Sequence, residues 1–181
     1  FEATTEVSKI LKKSIPAGLS RHSKKDIDRC YEALKHAPRF RIHTFISTSP
    51  LHMKHKLNKT PEQVYESIKE HVTYARNLTD DVEWSCEDGT RTDMDYMCKT
   101  VELAINSGAK TINIPDTVGY TVPSEFTKII STLKNRCLAF SSFKMDGNGT
   151  LSSVFRHSCH RHKGSSSDLI PSTQRDWTPS M

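Results

Sequence analysis

Five side chains with chemical capability stand in or just after three strand-like segments of this sequence. They are an imidazole, a carboxylate, an amide and two hydroxyls, namely His43, Glu87, Asn113, Ser85 and Thr117. An imidazole or a carboxylate can move protons, and amide and hydroxyl groups can recognise a polar substrate. In a β/α barrel the active site is built at the C-terminal ends of the strands. The repeated placement of such groups at strand ends therefore favours an enzyme.

Spacing indicates which of these side chains share a face, because successive side chains of a strand point to opposite sides. Glu83, Ser85 and Glu87 would share one face, with Ser85 and Glu87 near the mouth of the pocket. Asn113 and Thr117 would likewise face one cavity. Ordinary alternatives exist for each group: a packed structural histidine, a solvated loop acid, and turn residues around position 117.

The elements that would position these groups alternate along the chain between strand and helix patterns. Strands are predicted over 14–19, 40–46, 82–86 and 111–114, and apolar residues at helical spacing lie between them. Such alternation implies parallel strands with helical crossovers. Either an open doubly wound sheet or a closed barrel satisfies it. Because no Gly-rich dinucleotide fingerprint follows a strand, the pattern favours an α/β fold with about four consecutive βα units of a partial TIM (β/α)8 barrel.

The helix and strand ends carry recognisable signals. Thr60, Pro61 and Gln63 form a capping-box sequence, Gly108 ends a helix, and Ser23 is a candidate N-cap. The pattern stops near residue 136, after which Ser, His, Arg and Gly dominate. We therefore predict a partial catalytic barrel domain over 1–136 and a divergent, poorly ordered tail over 137–181, in which 137–140 could begin a strand.

Composition excludes several classes of protein. The net charge of +5 is spread over mixed charges without a basic stripe interleaved with aromatics, so nucleic acid is not an expected partner. No apolar run approaches the ~20 residues of a membrane helix. Five irregularly spaced cysteines suit reduced thiols in the cytoplasm. The pair His52 and His55 and the tail cluster over 156–162 are weak metal candidates, because each lacks a complete ligand set.

Three long segments, in order along the chain, resemble the 2-isopropylmalate synthase family. They read RIHTFISTSPLHMKHKL at 41–57, DDVEWSCEDGTRTD at 80–93 and TINIPDTVGYTVP at 111–123, and the resemblance extends from residue 1 to about 136. Related homocitrate and citramalate synthases and hydroxymethylglutaryl-CoA lyase share the fold and the general chemistry. The resemblance implies an acyltransferase of leucine biosynthesis that condenses acetyl-CoA with 2-oxoisovalerate, acts as a homodimer and works in the cytoplasm.

By position, the five side chains match residues of that family's substrate pocket. The resemblance implies a catalytic role for Glu87 and substrate binding by His43, Ser85, Asn113 and Thr117. It also implies a divalent metal, Mg or Mn, that polarises the 2-oxo group. The family's metal-ligand motifs, in its first, seventh and eighth strands, have no counterpart in this sequence, so no metal ligand is assigned to it.

We therefore expect an internal fragment of such an enzyme, with a tail read in an altered frame or otherwise replaced, and expect the isolated chain to be inactive. Two alternatives stay open. One is a related synthase for homocitrate or citramalate, and the other is a non-catalytic half-barrel that binds a partner through its open sheet edges.

Overall fold

The structure, a computed structural model, describes residues 1–137 and the backbone of 151–153. The strands are β1 (Ala17–Arg21), β2 (Arg41–Ser47), β3 (Val82–Glu87), β4 (Thr111–Ile114) and β5 (Leu151–Ser153). The α-helices are α1 (Glu2–Ile10), α2 (Lys24–Leu34), the short α3 (Pro50–His52), α4 (Pro61–Arg76), α5 (Met94–Asn106) and α6 (Pro123–Arg136). A π-helix at Met53–Leu57 continues α3, and a 3₁₀ turn at Gly89–Arg91 follows β3.

The strands form one parallel sheet in the order β1-β2-β3-β4-β5. This confirms the predicted parallel strands alternating with helices. The strand β5 falls within the segment that the sequence analysis assigns to the tail, so the sheet gains a strand that the loss of apolar periodicity did not reveal. The predicted strand start at 138–140 and the histidine-rich cluster at 156–162 lie outside the described residues.

One face of the sheet carries the hydrophobic core. Its strand side chains are almost fully buried, and they pack with α4 and α5: Ile42, Ile46, Val82, Trp84, Ile112 and Ile114. Burial of apolar area at roughly 25 cal/mol per Å² is the main stabilising term for such a sheet. Because side chains alternate, this packing commits the intervening residues to the opposite face.

Helix ends follow the sequence signals in most cases. The Thr60 hydroxyl accepts from the Gln63 amide at 3.3 Å, and the Gln63 side chain accepts from the Thr60 amide at 2.9 Å, which confirms the capping box. Gly108 follows α5 with a φ of +108°, a conformation that favours glycine. Ser23 precedes α2 as predicted, but its side chain makes no capping hydrogen bond.

The apolar face of the first helix, α1, is not packed into the core. Val7 and Ile10 are 47% and 73% exposed, and the buried residue of α1 is Ser8. The Ser8 hydroxyl lies 3.0 Å from the carbonyl oxygen of Ala33, near the end of α2. A polar contact rather than an apolar stripe therefore joins these two helices.

Two observations concern the cysteines and the length of the helices. The four cysteines within residues 1–137 are free thiols, and burial raises the pKa of Cys30 to about 11 and that of Cys86 to about 12. Among the described residues, no helix is both long and apolar enough to cross a membrane.

A histidine pair links the end of β1 to α4. The rings of His22 and His71 stack with centroids 5.4 Å apart, and Ser67 Oγ lies 3.3 Å from Nδ1 of each ring. Nε2 of His22 is buried without a hydrogen-bond partner in the described part of the chain. Burial, and then repulsion from His71, lowers the pKa of His22 to about 3 from 6.5.

We predict that His22 makes folding sensitive to acid. Between pH 6.5 and pH 3 the unfolded chain binds a proton that folded His22 rejects, so stability falls as the pH falls through this window, by at most about 1.4 kcal/mol per pH unit. His22→Gln should flatten this dependence in urea unfolding measured from pH 7 to pH 4. The exposed-site variant His36→Gln should retain the parent slope. An unchanged slope in His22→Gln would contradict the assignment.

Candidate active site

The register of the parallel strands brings three of the predicted site residues together on the face opposite the core. Ser85 of β3 is directly opposite Asn113 of β4, and His43 of β2 lies two residues before Phe45, the residue paired with Ser85. Nε2 of His43 lies 2.5 Å from Ser85 Oγ. Ser85 and Asn113 are 4% and 5% exposed. The register places Glu83, Ser85 and Glu87 on one face of β3, as their spacing predicts.

The buried side-chain amide of Asn113 lies next to Ser85 in the sheet. Its side-chain oxygen Oδ1 is buried and has no hydrogen-bond partner among the residues that the structure describes. A buried amide oxygen without a partner costs free energy, which a donor on a bound molecule would recover. The Asn113 amide thus differs from the His43 and Ser85 side chains, which already contact each other.

Glu87, at the end of β3, is held as a carboxylate. Lys56 Nζ lies 2.6 and 2.7 Å from its two oxygens, and the Ser47 hydroxyl donates to Oε2. Burial opposes ionisation of Glu87, but the hydrogen bonds from Lys56 and Ser47 and the charges of Lys56 and His52 outweigh it, so its pKa lies below the usual value. At neutral pH this group accepts hydrogen bonds and carries negative charge.

The neighbouring Asp88 organises the loop after β3. Its backbone is left-handed, with a φ of +62°, and its side chain is fully buried. Oδ1 accepts from Arg91 Nε at 2.7 Å, and Oδ2 lies 3.8 Å from Nδ1 of His52. Burial opposes ionisation of Asp88, but Arg91, Ser49 and His52 favour it, and the resulting pKa is lowered.

Thr117 lies outside the strand alternation that the sequence suggested. The strand β4 ends at Ile114, and Thr117 stands in the turn that follows. Its hydroxyl oxygen accepts from the backbone N–H of Asp88 at 2.9 Å. Thr117 therefore joins the loops after β3 and β4 while its exposed side chain remains at the same end of the sheet as Glu87.

The carboxylate of Asp116 holds the shape of that turn. It accepts from the backbone N–H groups of Gly119, Tyr120 and Thr121 and from the Thr90 hydroxyl, at 3.1 to 3.4 Å. Asp116 is 3% exposed, so these bonds lie mostly out of water. Asp116 therefore stabilises the turn around position 117 and links it to Thr90.

Sequence reasoning gave no role to four residues in or beside the predicted site. Ser47 and Lys56 contact Glu87, Glu83 lies beside His43, and Arg41 pairs with Glu83. Strand alternation alone placed Glu83 on the correct face, and the same rule applied to β2 would have selected Arg41 and Ser47. Lys56 had no such signal, because its approach to Glu87 depends on the π-helix after α3.

Comparison with known proteins identifies the family. The sequence model of the HMGL-like family matches residues 1–146. The chain belongs to the HMGL-like family. Its match extends ten residues beyond the predicted boundary at 136.

Curated relatives of this HMGL-like chain are named 2-isopropylmalate synthase. That of Bradyrhizobium diazoefficiens is 59% identical over 136 residues, which cover 75% of this chain and 26% of the relative. That of Rhodopseudomonas palustris strain BisB5 is 58% identical over 139 residues, with the same two coverages. The chain thus spans about a quarter of the length of the curated relatives it matches.

A solved structure supports the HMGL-like fold. The hydroxymethylglutaryl-CoA lyase of Pseudomonas aeruginosa matches with a TM-score of 0.57 and 16% identity, over 72% of this chain and 45% of that chain. At this identity the likeness concerns the fold alone. It confirms the predicted partial TIM barrel.

HMGL-like proteins are generally metal-dependent, but the described side chains of this chain do not form a metal site. Within residues 1–137, no group of three or more His, Cys, Asp or Glu side chains is placed to hold a metal ion. The two acids at the end of β3 already form ion pairs: Glu87 with Lys56 and Asp88 with Arg91. The described residues therefore do not fit a metal ion.

We predict that Lys56→Met raises the pKa of Glu87, because it removes both a hydrogen bond and a positive charge that stabilise the carboxylate. Carboxyl ¹³C NMR during a pH titration measures this pKa directly. Lys54→Met, an exposed lysine in the same π-helix, serves as the matched control and should leave the titration unchanged. Equal pKa values in the parent and in Lys56→Met would show that the contact does not control Glu87.

Proposed function

We propose that this chain forms the substrate-binding side of a 2-isopropylmalate synthase. The observation that carries the proposal is the alignment of His43, Ser85 and Asn113 across three neighbouring strands, with the buried Asn113 Oδ1 unpartnered in the described region. The identity of 56–59% to relatives named for this activity supports it. The proposed substrates are acetyl-CoA and 2-oxoisovalerate.

The proposed reaction is a condensation followed by a hydrolysis. The methyl group of acetyl-CoA loses a proton, and its carbon forms a bond with the 2-oxo carbon of 2-oxoisovalerate. The C=O double bond opens as this bond forms, and its oxygen takes up a proton to become a hydroxyl group. Water then cleaves the thioester, which gives 2-isopropylmalate and free CoA. The side-chain N–H of Asn113 and the Thr117 hydroxyl are proposed to donate to the oxygens of the oxo acid. Asn113 Oδ1 and the His43–Ser85 pair are proposed to accept from the hydroxyl group of the product.

Glu87 is proposed to act at the junction of the two substrates. Because Lys56 and Ser47 hold it ionised, it enters the reaction as a hydrogen-bond acceptor or base rather than as an acid. Its position at the end of β3, in contact with Lys56, supports a role for its negative charge at the edge of the proposed pocket. Following the resemblance, we propose that the parent enzyme is a cytoplasmic homodimer of leucine biosynthesis.

A second candidate, from a different class, is a non-catalytic half-barrel that associates with a partner. The observation in its favour is apolar exposure near β1, an edge of the described sheet, where Leu19 is 66% exposed and Ile15 39% exposed. Light scattering of the purified chain distinguishes a defined complex from heterogeneous aggregate, and a defined complex that binds no oxo acid would favour this second reading.

Ligand titration tests the pocket. We expect 2-oxoisovalerate to shift the side-chain NMR signals of Asn113 and His43, and Asn113→Ala to weaken binding by about tenfold, as expected for the loss of roughly 1.4 kcal/mol of hydrogen bonding. Asn77→Ala, at the end of α4, is the control amide variant. Parallel titrations with 2-oxoglutarate and pyruvate test the homocitrate and citramalate alternatives. Signals that move only at other sites would overturn the proposed pocket.

An activity assay tests the expectation that the isolated chain is inactive. Free CoA is measured after mixing the 181-residue chain with acetyl-CoA and 2-oxoisovalerate, with Mg²⁺ or Mn²⁺ added. We expect no CoA release above a protein-free control. Sustained release would contradict the inactive state while strengthening the assignment of the reaction.

A further inference from the structure

A line of charged and polar side chains extends along the open face of β2 and β3 behind the predicted pocket. Asp81 accepts from Arg41 at 2.8 and 3.3 Å, and Arg41 Nη1 donates to Glu83 Oε2 at 3.1 Å. The other Glu83 oxygen, Oε1, lies 3.7 Å from Nδ1 of His43, whose Nε2 contacts Ser85. The line connects a surface acid to the pocket through alternating charges.

The members of this line are too enclosed to be ordinary surface ion pairs. The Arg41 and His43 side chains are each 21% exposed, and the Glu83 side chain is 10% exposed. Paired charges at such depth are costly to separate, because each would remain buried without its partner. Their regular strand positions also fix their backbones, so their separation is set by the register of β2 and β3.

We propose that Glu83, held by Arg41, is a positioning residue that sets which nitrogen of His43 carries the proton and thereby orients the Ser85 hydroxyl. The contacts along this line do not depend on the proposed function. Only the interpretation of the neighbouring residues as a substrate pocket rests on that proposal.

The chemistry follows from what each group can donate. An ionised carboxylate only accepts, so the Nδ1 atom that faces Glu83 carries the hydrogen of the neutral ring. Nε2 is then an acceptor, and the Ser85 hydroxyl donates to it. The remaining lone pairs of Ser85 Oγ face away from the ring, available to a donor.

This direction of hydrogen bonding changes how His43 and Ser85 would contact a substrate. The substrate binding that the resemblance implies for His43 would then pass through Ser85, because Nε2 is already engaged. Ser85 then accepts from a hydroxyl group more readily than it donates to a carboxylate. Among the proposed reactants and products, the hydroxyl of the condensation product has that character.

Glu83 and Arg41 act on the pKa of the His43 ring in opposite directions. Burial lowers the pKa of His43 most, Glu83 raises it, and Arg41 lowers it. Across β1 the residue paired with His43 is the apolar Leu19, which contributes no charge. Glu83 and Arg41 are therefore the groups whose removal separates a positioning role from a packing role.

Long-range ¹⁵N NMR of the ligand-free 181-residue chain tests the proposal, because it shows which ring nitrogen of His43 is protonated. We expect the Nδ1–H form in the parent and a mixture of forms in Glu83→Gln, with a lower His43 pKa because a neighbouring negative charge is lost. Arg41→Met should shift the pKa in the opposite direction. A purely structural disturbance would not give opposite shifts in two variants of one ion pair.

Asp26→Asn is the matched control, since Asp26 pairs with Arg21 at the surface and should leave His43 unchanged. If Glu83→Gln fails to retain the parent backbone spectrum, Arg41→Met alone decides by the direction of its pKa shift. Parent-like protonation and pKa of His43 in a folded Glu83→Gln, or an unshifted or lowered pKa in Arg41→Met, would overturn the proposal. Because no substrate is added, failure of the proposed reaction would leave this result unaffected.

Discussion

The register between β2 and β3 is the constraint on which the rest of the site depends. It pairs His43 with Glu83 and Ser47 with Glu87, and it brings Ser85 within reach of the His43 ring. A shift of one residue would turn every one of these side chains to the opposite face. It would also expose the apolar side chains that now pack beneath the helices. The core therefore enforces the arrangement of the polar face.

That coupling explains how enclosed charges persist on the open face. Arg41 and Glu83 would be unfavourable as isolated ions, yet each lies within hydrogen-bonding distance of an opposite charge. The strands fix the backbone of each residue, so only side-chain conformational entropy is lost when the pairs form. Charge pairing on one face and apolar burial on the other thus support the same strand alignment.

The C-terminal end of the sheet is less regular, and its geometry depends on loops. The π-helix after α3 delivers Lys56 to Glu87, and the left-handed Asp88 turns the chain after β3. Thr117 then joins this loop to the one after β4. As an HMGL-like chain that spans about a quarter of its curated relatives, the protein presents these groups as one side of a larger proposed site.

The sequence by itself determined the alternating elements, the capping box at Thr60 and the strand faces of Ser85 and Glu87, because local periodicity and capping depend on neighbouring residues alone. The resemblance of its motifs added the family. Only the tertiary structure decided that Lys56 reaches Glu87 and that Glu83 faces His43. Those contacts join residues about 30 to 40 positions apart, and their distances are set by strand register and loop path, which no local pattern encodes.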